Sequence, residues 1–274
     1  MTGEQFGFGR FAEQSFYQRV NQWLVESINP RSGQRIVDLA CGTGLLTRLI
    51  LERLRGARDT VIIGIDQSGD SLRQAMENVK SVPGVMVELV QTQVEHLSTT
   101  LRGAADTIVL GNGIHLIPDK KLLIGEVFAC LRPGGTFAFN STFFEGGVPP
   151  ESEAYYRRWM SKAIRNLKST YGLMPTREKV QARRQLTPAE YREHLEQQGF
   201  TVTKQELIPV EFPLEGHLTI SKYDDFVAGA LPGVPLEMAS QVLQEAARQS
   251  YKELNLTVVP RYWLQMVAVR PVAG

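Results

Sequence analysis

Residues 35–50, RIVDLACGTGLLTRLI, start as an apolar run, meet an acid at Asp38, break into Ala-Cys-Gly-Thr-Gly and resume with helical spacing. A buried strand that passes through a glycine loop into a helix reads as the first βα unit of an open α/β sheet, whose loop lies at the carboxyl end where ligands bind. Gly42 and Gly44 have no Cβ, so the backbone there turns sharply and approaches a ligand closely. The following helix offers its N-terminal N–H groups and positive dipole end. Asp66, ending the next apolar run in GIDQS, is placed to accept hydrogen bonds from a ribose diol. A glycine loop with an acid roughly 20 residues on points to a cofactor containing a nucleoside.

Working outward, short apolar runs alternate with helical patterns. Strands read at 35–39, 60–65, 85–91, 106–111 and 136–141, with helices at 11–28, 45–55, 70–80 and 119–131. Asn29-Pro30 ends the first helix, and RPGG reads as the stop signal of the last. Near-continuous apolar strands separated by helices predict a doubly wound, mostly parallel sheet covered on both faces. Further on, Thr187 as N-cap, Pro188 at the first position and Gly199 beyond the end frame a helix over 187–198. Strands follow at 201–212 and 262–270. The organisation expected is N-terminal helices and a cofactor-binding α/β core over 1–142, a cap insertion over 143–186, a core helix and strand over 187–213, a second cap insertion over 214–259, and a final core strand over 260–274.

The bulk properties narrow the function. The 274 residues are 43% hydrophobic and 22% charged, and 30 Lys and Arg against 29 Asp and Glu leave a formal charge of +1. A dedicated nucleic-acid binder is not expected from that balance. Cys41 and Cys130 have no framework spacing, and neither paired histidines nor carboxylate clusters suggest a metal site, so none is expected. No run approaches the ~18 apolar residues of a membrane span and no signal pattern opens the chain, so a soluble cytoplasmic protein is expected.

The motifs resemble those of the class I S-adenosylmethionine-dependent methyltransferases. VDLACGTG is similar to their motif I with Ala40 at the first glycine position, IGIDQS to the segment after it, VELVQTQVEHL to the adenine-contacting segment, ADTIVLGNGIHLIPD to motif IV, and CLRPGGTFAF to the loop and fifth strand. LTPAEYREHLEQQGF matches the helix before the sixth strand. The likeness covers roughly 35–142, 186–212 and 262–270 and is greatest to the small-molecule group that includes the ubiquinone and menaquinone biosynthesis enzymes. It implies a seven-stranded sheet, S-adenosylmethionine as cofactor and S-adenosylhomocysteine as product. It further implies that Asp38, Ala40, Cys41 and the Gly42–Gly44 loop hold the methionine moiety, that Asp66 and Gln67 meet the ribose, that Gln93 and Val94 meet the adenine, and that Asn112 flanks the transferred methyl. Gln93 stands where many relatives have Asp; its amide oxygen accepts the same bond without a charge. GTGLLT puts Thr47 where a dinucleotide fingerprint wants its third glycine, which speaks against a nicotinamide-dependent oxidoreductase. A non-catalytic protein that binds the cofactor is the other alternative.

His115 follows the fourth strand, where an imidazole near its ordinary pKa could act as base; packing under the cap explains it equally well. Cys41 reads as packing rather than as a nucleophile, and His96, His194 and His217 as solvated or structural. Tyr155, Tyr156, Trp159 and Tyr223 in the insertions are the candidates for acceptor contact, and core packing accounts for the same residues. Between 157 and 184 nine basic residues, Arg157, Arg158, Lys162, Arg165, Lys168, Arg177, Lys179, Arg183 and Arg184, face one acid, Glu178. A solvated face explains them; an anionic small-molecule acceptor, an acidic carrier protein or peripheral contact with a membrane surface are the functional readings. An Asn/Asp-Pro-Pro-aromatic motif would mark nucleic-acid amino methylation, and GNGIHL stands in its place.

Overall fold

The computed structural model describes residues 7–176 and 185–272. The chain begins with one turn, α1 (Gly9–Ala12), then α2 (Ser15–Ile28), β1 (Arg35–Leu39), α3 (Leu45–Arg53), β2 (Thr60–Asp66), α4 (Gly69–Asn78) and β3 (Val85–Gln91). It continues through the short α5 (Leu97–Thr100), β4 (Ala105–Gly111), α6 (Lys120–Cys130), β5 (Leu131–Ser141), α7 (Pro150–Tyr171), α8 (Pro188–Gln197) and β6 (Thr201–Pro213). Three helices, α9 (Leu214–Ile220), α10 (Asp224–Ala230) and α11 (Leu236–Glu253), precede β7 (Val258–Val269). The elements fall into two units. A sheet unit takes 18–145, 182–208 and 263–274, and a helical unit takes 1–17, 146–181 and 209–262.

In the sheet unit the strand order is β3-β2-β1-β4-β5-β7-β6, with β1 to β5 parallel and β7 antiparallel to β5. β1 and β4 are neighbours, yet the chain leaves one toward β2 and the other toward β5. Their carboxyl ends therefore flank a topological switch point. Burial explains why the strands were readable: Ile36, Val37, Ile62, Ile65, Ile108, Val109 and Leu110 are all at 2% exposure or less. Leu24, Val25 and Ile28 of α2 pack with Leu46, Leu49 and Ile50 of α3 on one apolar cluster that also takes Ile36, Val109 and Ala138.

Three details differ from the sequence reading. The first helix is two, broken at Glu13-Gln14. RPGG does follow the end of α6, but it lies inside β5. There the register jumps from Ala105↔Leu131 to Thr107↔Thr136, so Arg132–Gly135 form a bulge. Gly134 takes φ +77°, and a Cβ on Gly135 would sit 2.8 Å from the Arg132 carbonyl oxygen. Turn chemistry in a bulge looks like a stop. β7 also starts earlier, at Val258. The α8 cap is complete: Thr187 Oγ1 accepts from the Glu190 N–H, and the Glu190 carboxylate accepts from the Thr187 N–H.

The helical unit packs around aromatic rings. Tyr155 and Trp159 of α7, Phe212 of β6 and Tyr251 of α11 all lie within 5.6 Å, centroid to centroid, of the imidazole of His217 on α9. Among the described residues no helix is long and apolar enough to cross a membrane.

Candidate active site

The loop after β1 is built by its backbone. Ala40, Gly42 and Gly44 take φ of +53°, +54° and +84°, so three of five residues from 40 to 44 occupy the left-handed region. A Cβ on Gly42 would meet nothing within 4 Å, whereas on Gly44 it would fall 2.8 Å from Val79 Cγ2. The first glycine leaves open space and the second permits α3 to pack on α4. Gly44 caps α3 with no side-chain hydrogen bond, and the third residue of the helix, Thr47, turns its N–H and hydroxyl to the Asp38 carboxyl.

Asp38 lies beneath this loop at 1% exposure. Its Oδ2 accepts from Thr47 Oγ1 at 2.6 Å, while its Oδ1 is buried with no partner. Burial pushes the carboxyl up to about 7; the Thr47 bonds pull it back only in part, and Asp66 adds repulsion. A buried carboxyl with one orphaned oxygen is a site built for a positive or donating group. The α-ammonium of a methionine moiety has that chemistry, so the residues present fit the cofactor.

Asp66 orders the loop as well as facing it. Its Oδ2 accepts from the Gly42 N–H and its Oδ1 from the Ser68 N–H, each at 2.8 Å. Ser68, whose Oγ accepts from the Ser71 N–H, caps α4. Each carboxylate oxygen keeps a lone pair for a diol. Gln67 is exposed, and its carbonyl accepts from Gln91 Nε2 at 3.1 Å. Gln93 is also exposed and opens a 3-10 turn over Val94–His96 in which Val94 is buried. Cys41 is buried, its N–H donating to the Ile65 carbonyl; burial, with Asp38 and Asp66 nearby, pushes its thiol up and leaves it inert.

Across the switch point, Asn112 takes φ +48° at 6% exposure. Its N–H donates to Asn140 Oδ1 at 2.8 Å, and its own Oδ1 accepts from the Thr142 N–H at 3.1 Å. Asn140 Nδ2 in turn donates to Asn21 Oδ1 at 3.3 Å. A chain of three buried amides thus ties α2, β4 and β5 together. Sequence reading missed Asn140 and Asn21 because these contacts join residues 28 and 119 positions apart. The two loops approach closely, for a Cβ on Gly113 would lie 3.4 Å from that of Ala40. His115 sits in a 3-10 turn over Ile114–Leu116, its Nδ1 3.3 Å from Ser141 Oγ and its ring 4.4 Å from that of Phe143.

The structure thus brings Asp38, Ala40, Cys41, Gly42, Gly44, Asp66, Asn112 and His115 to one edge of the sheet. The aromatic candidates belong to the helical unit. Tyr155 and Trp159 are at 1% and 2% exposure in its interior, with Trp159 Nε1 donating to the Leu243 carbonyl at 2.8 Å. Tyr156 is half-buried under the Arg261 guanidinium, 5.2 Å from its ring. Tyr223 donates its hydroxyl to Asp225 Oδ2 at 2.7 Å and meets Phe8 edge-on. Of the basic run, Arg158 and Lys162 pair with Glu253 at 3.0 and 2.6 Å; Arg157, Arg165 and Lys168 are exposed, and Arg177, Lys179, Arg183 and Arg184 lie outside the described residues. No group of three or more metal-ligating side chains occurs among the described residues.

Residues 36–135 match a methyltransferase domain family. The chain is 30% identical over 121 residues to the ubiquinone biosynthesis O-methyltransferase of Bordetella avium (strain 197N), an alignment covering 44% of this chain and 47% of that one. It is 34% identical over 108 residues to the trans-aconitate 2-methyltransferase of Azoarcus sp. (strain BH72), covering 38% and 37%. The alignments span less than half the length of these curated relatives. Phosphoethanolamine N-methyltransferase 2 of Haemonchus contortus, solved with S-adenosyl-L-methionine, superposes with a TM-score of 0.53 at 17% identity over 92% of this chain and 52% of that one. Residues 36–135 thus match a methyltransferase domain family, and the strand order and the glycine loop agree with the fold of the class I S-adenosylmethionine-dependent methyltransferases that the motifs resemble.

Proposed function

We propose that the protein transfers a methyl group from S-adenosylmethionine to a small organic acceptor. The observation that carries this reading is the buried Asp38 carboxyl, held on one oxygen by Thr47 and orphaned on the other, directly below the glycine loop. Asp38 would hold the ammonium of the methionine moiety and Asp66 the ribose hydroxyls, with Gln93 and Val94 against the adenine. Asn112, locked by Asn140 and Thr142, would shape the wall beside the transferred methyl. Bound there, the sulfonium cofactor supplies an already activated methyl group, so the protein's task is placement of an in-line displacement in a water-poor site. Thr47 also speaks against a dinucleotide. It fills the third-glycine position at 0% exposure with its hydroxyl committed to Asp38.

The acceptor is read as a small organic molecule, lipophilic or anionic. Exposed Arg157, Arg165 and Lys168 favour negative charge on the acceptor or its carrier. Two free, buried cysteines suit a reducing cytoplasm. The test is production of S-adenosylhomocysteine with a panel of quinols, phenols, amines, carboxylic acids and fatty-acyl acceptors. Turnover with any member supports the reading. Cofactor binding without turnover on any of them would make the chain a silent binder instead.

A further inference from the structure

The end of β5 carries a hydroxyl that the family motifs do not mark. Ser141 is fully buried, and its Oγ has three neighbours. The Phe143 N–H donates to it at 3.1 Å, it reaches the Phe143 carbonyl at 3.5 Å, and His115 Nδ1 lies 3.3 Å away. A serine hydroxyl has one proton to give and two lone pairs. The arrangement that uses all three contacts has Ser141 donating to the Phe143 carbonyl and accepting from both the Phe143 N–H and an Nδ1–H on His115. That choice fixes the His115 tautomer and makes Nε2 the basic position of the ring. The 141–143 turn is itself pinned to the loop after β4 by the Thr142 N–H bond to Asn112 Oδ1, and the Phe143 ring lies against the imidazole, tilted by 36° with centroids 4.4 Å apart. The imidazole is held on one side by a hydrogen bond and on one face by an aromatic ring.

We propose that Ser141 is a positioning residue that holds His115 as a general base, and that the acceptor is a hydroxyl compound, a phenol or an enol, rather than a carboxylate or thioether. This rests on the methyltransferase reading above. A carboxylate is already ionised at neutral pH and a thioether has no proton to lose, so neither needs a base; a hydroxyl does. The acceptor oxygen forms its bond to the methyl carbon as the carbon–sulfur bond breaks and leaves its electron pair on sulfur. The hydroxyl proton passes to His115 Nε2, and the Ser141 oxygen stabilises the resulting imidazolium through Nδ1–H.

The first test needs no acceptor. Long-range 1H–15N correlation spectra of the protein with S-adenosylhomocysteine added, with His115 assigned through His115→Gln, should show the Nδ1–H tautomer. They should show a shift toward Nε2–H in Ser141→Ala and recovery in Ser141→Thr. An Nε2–H tautomer in the unsubstituted protein, or a tautomer indifferent to Ser141→Ala, would overturn the proposal. Failure of S-adenosylhomocysteine to bind would instead overturn the cofactor reading beneath it. In turnover assays, hydroxyl acceptors should be methylated, with His115→Gln lowering kcat by about 100-fold. Ser141→Ala should lower kcat by about tenfold at unchanged KM and move the acid limb of the pH profile down, consistent with one lost hydrogen bond. Methylation confined to carboxylates, or undiminished hydroxyl methylation in His115→Gln, would refute it.

Discussion

Asp38 places the strongest demand on its surroundings. Folding raises its carboxyl from 3.8 to about 7, so the native state holds the proton more tightly than the unfolded chain does. Its contribution to stability is full below pH 3.8 and is lost as pH rises through about 7, at a slope of about 1.4 kcal/mol per pH unit between those values. Urea unfolding of the ligand-free protein should therefore show a downward slope over this range that Asp38→Asn flattens; parallel slopes would mean that Asp38 is ionised in the native protein. Thr47→Val keeps the shape and removes the bond to Asp38, and should lower stability by about 1–3 kcal/mol in the same assay. Asp66 accepts from the Gly42 and Ser68 N–H groups and is proposed to hold the ribose hydroxyls as well. Asp66→Ala should weaken S-adenosylhomocysteine binding by about 1.5–3 kcal/mol, and an unchanged affinity would take it out of the site. The glycines, Asp38 and Asp66 were legible because the motif is local. Ser141, Asn140 and Asn21 were not, since each acts through a partner brought close only by the folded sheet.

At the level of elements, the strands of the sheet centre were the most legible feature, because burial on both faces demands nearly unbroken apolar runs. β3 and β6 sit at the sheet margins and alternate exposed with partly buried residues, yet both were readable from their β-branched content. What misled was punctuation. Pro133-Gly134-Gly135 marks a bulge within β5 as well as the end of α6, and the same residue types serve both. The α3–α4 contact also explains why Gly44 is needed beyond any ligand. Gly44→Ala would put a Cβ 2.8 Å from Val79 Cγ2 at φ +84°. It should cost about 1–3 kcal/mol even without cofactor, measured by thermal unfolding, whereas a neutral effect would show that α4 can move away.

For the molecule as a whole, the two units carry opposite pH sensitivities. His217, at 2% exposure among aromatic rings, has its pKa lowered to about 3, first by burial and then by the Arg261 charge, against the Pro213 carbonyl. A base whose pKa is depressed by folding contributes stability present above its ordinary value of 6.5, and that stability is lost as pH falls toward 3. Hydrogen exchange resolved by segment should show α7, α9 and α11 losing protection from pH 6.5 downward, and His217→Gln should weaken that trend. A sheet unit that loses protection first on acidification would contradict it. The division into two units was only partly visible in the chain, since the helical unit also takes residues 1–17, which carry no motif.

The central claim is that the loop over Asp38 holds S-adenosylmethionine, and calorimetric titration tests it most directly. S-Adenosylhomocysteine and S-adenosylmethionine should bind with micromolar dissociation constants (~8 kcal/mol), more tightly as pH rises toward 7 and with release of a proton, as the ligand ammonium restores the Asp38 charge. The reduced nicotinamide dinucleotides should not bind. Nicotinamide binding in place of the sulfur nucleosides, or sulfur nucleosides bound with no dependence on Asp38, would contradict it.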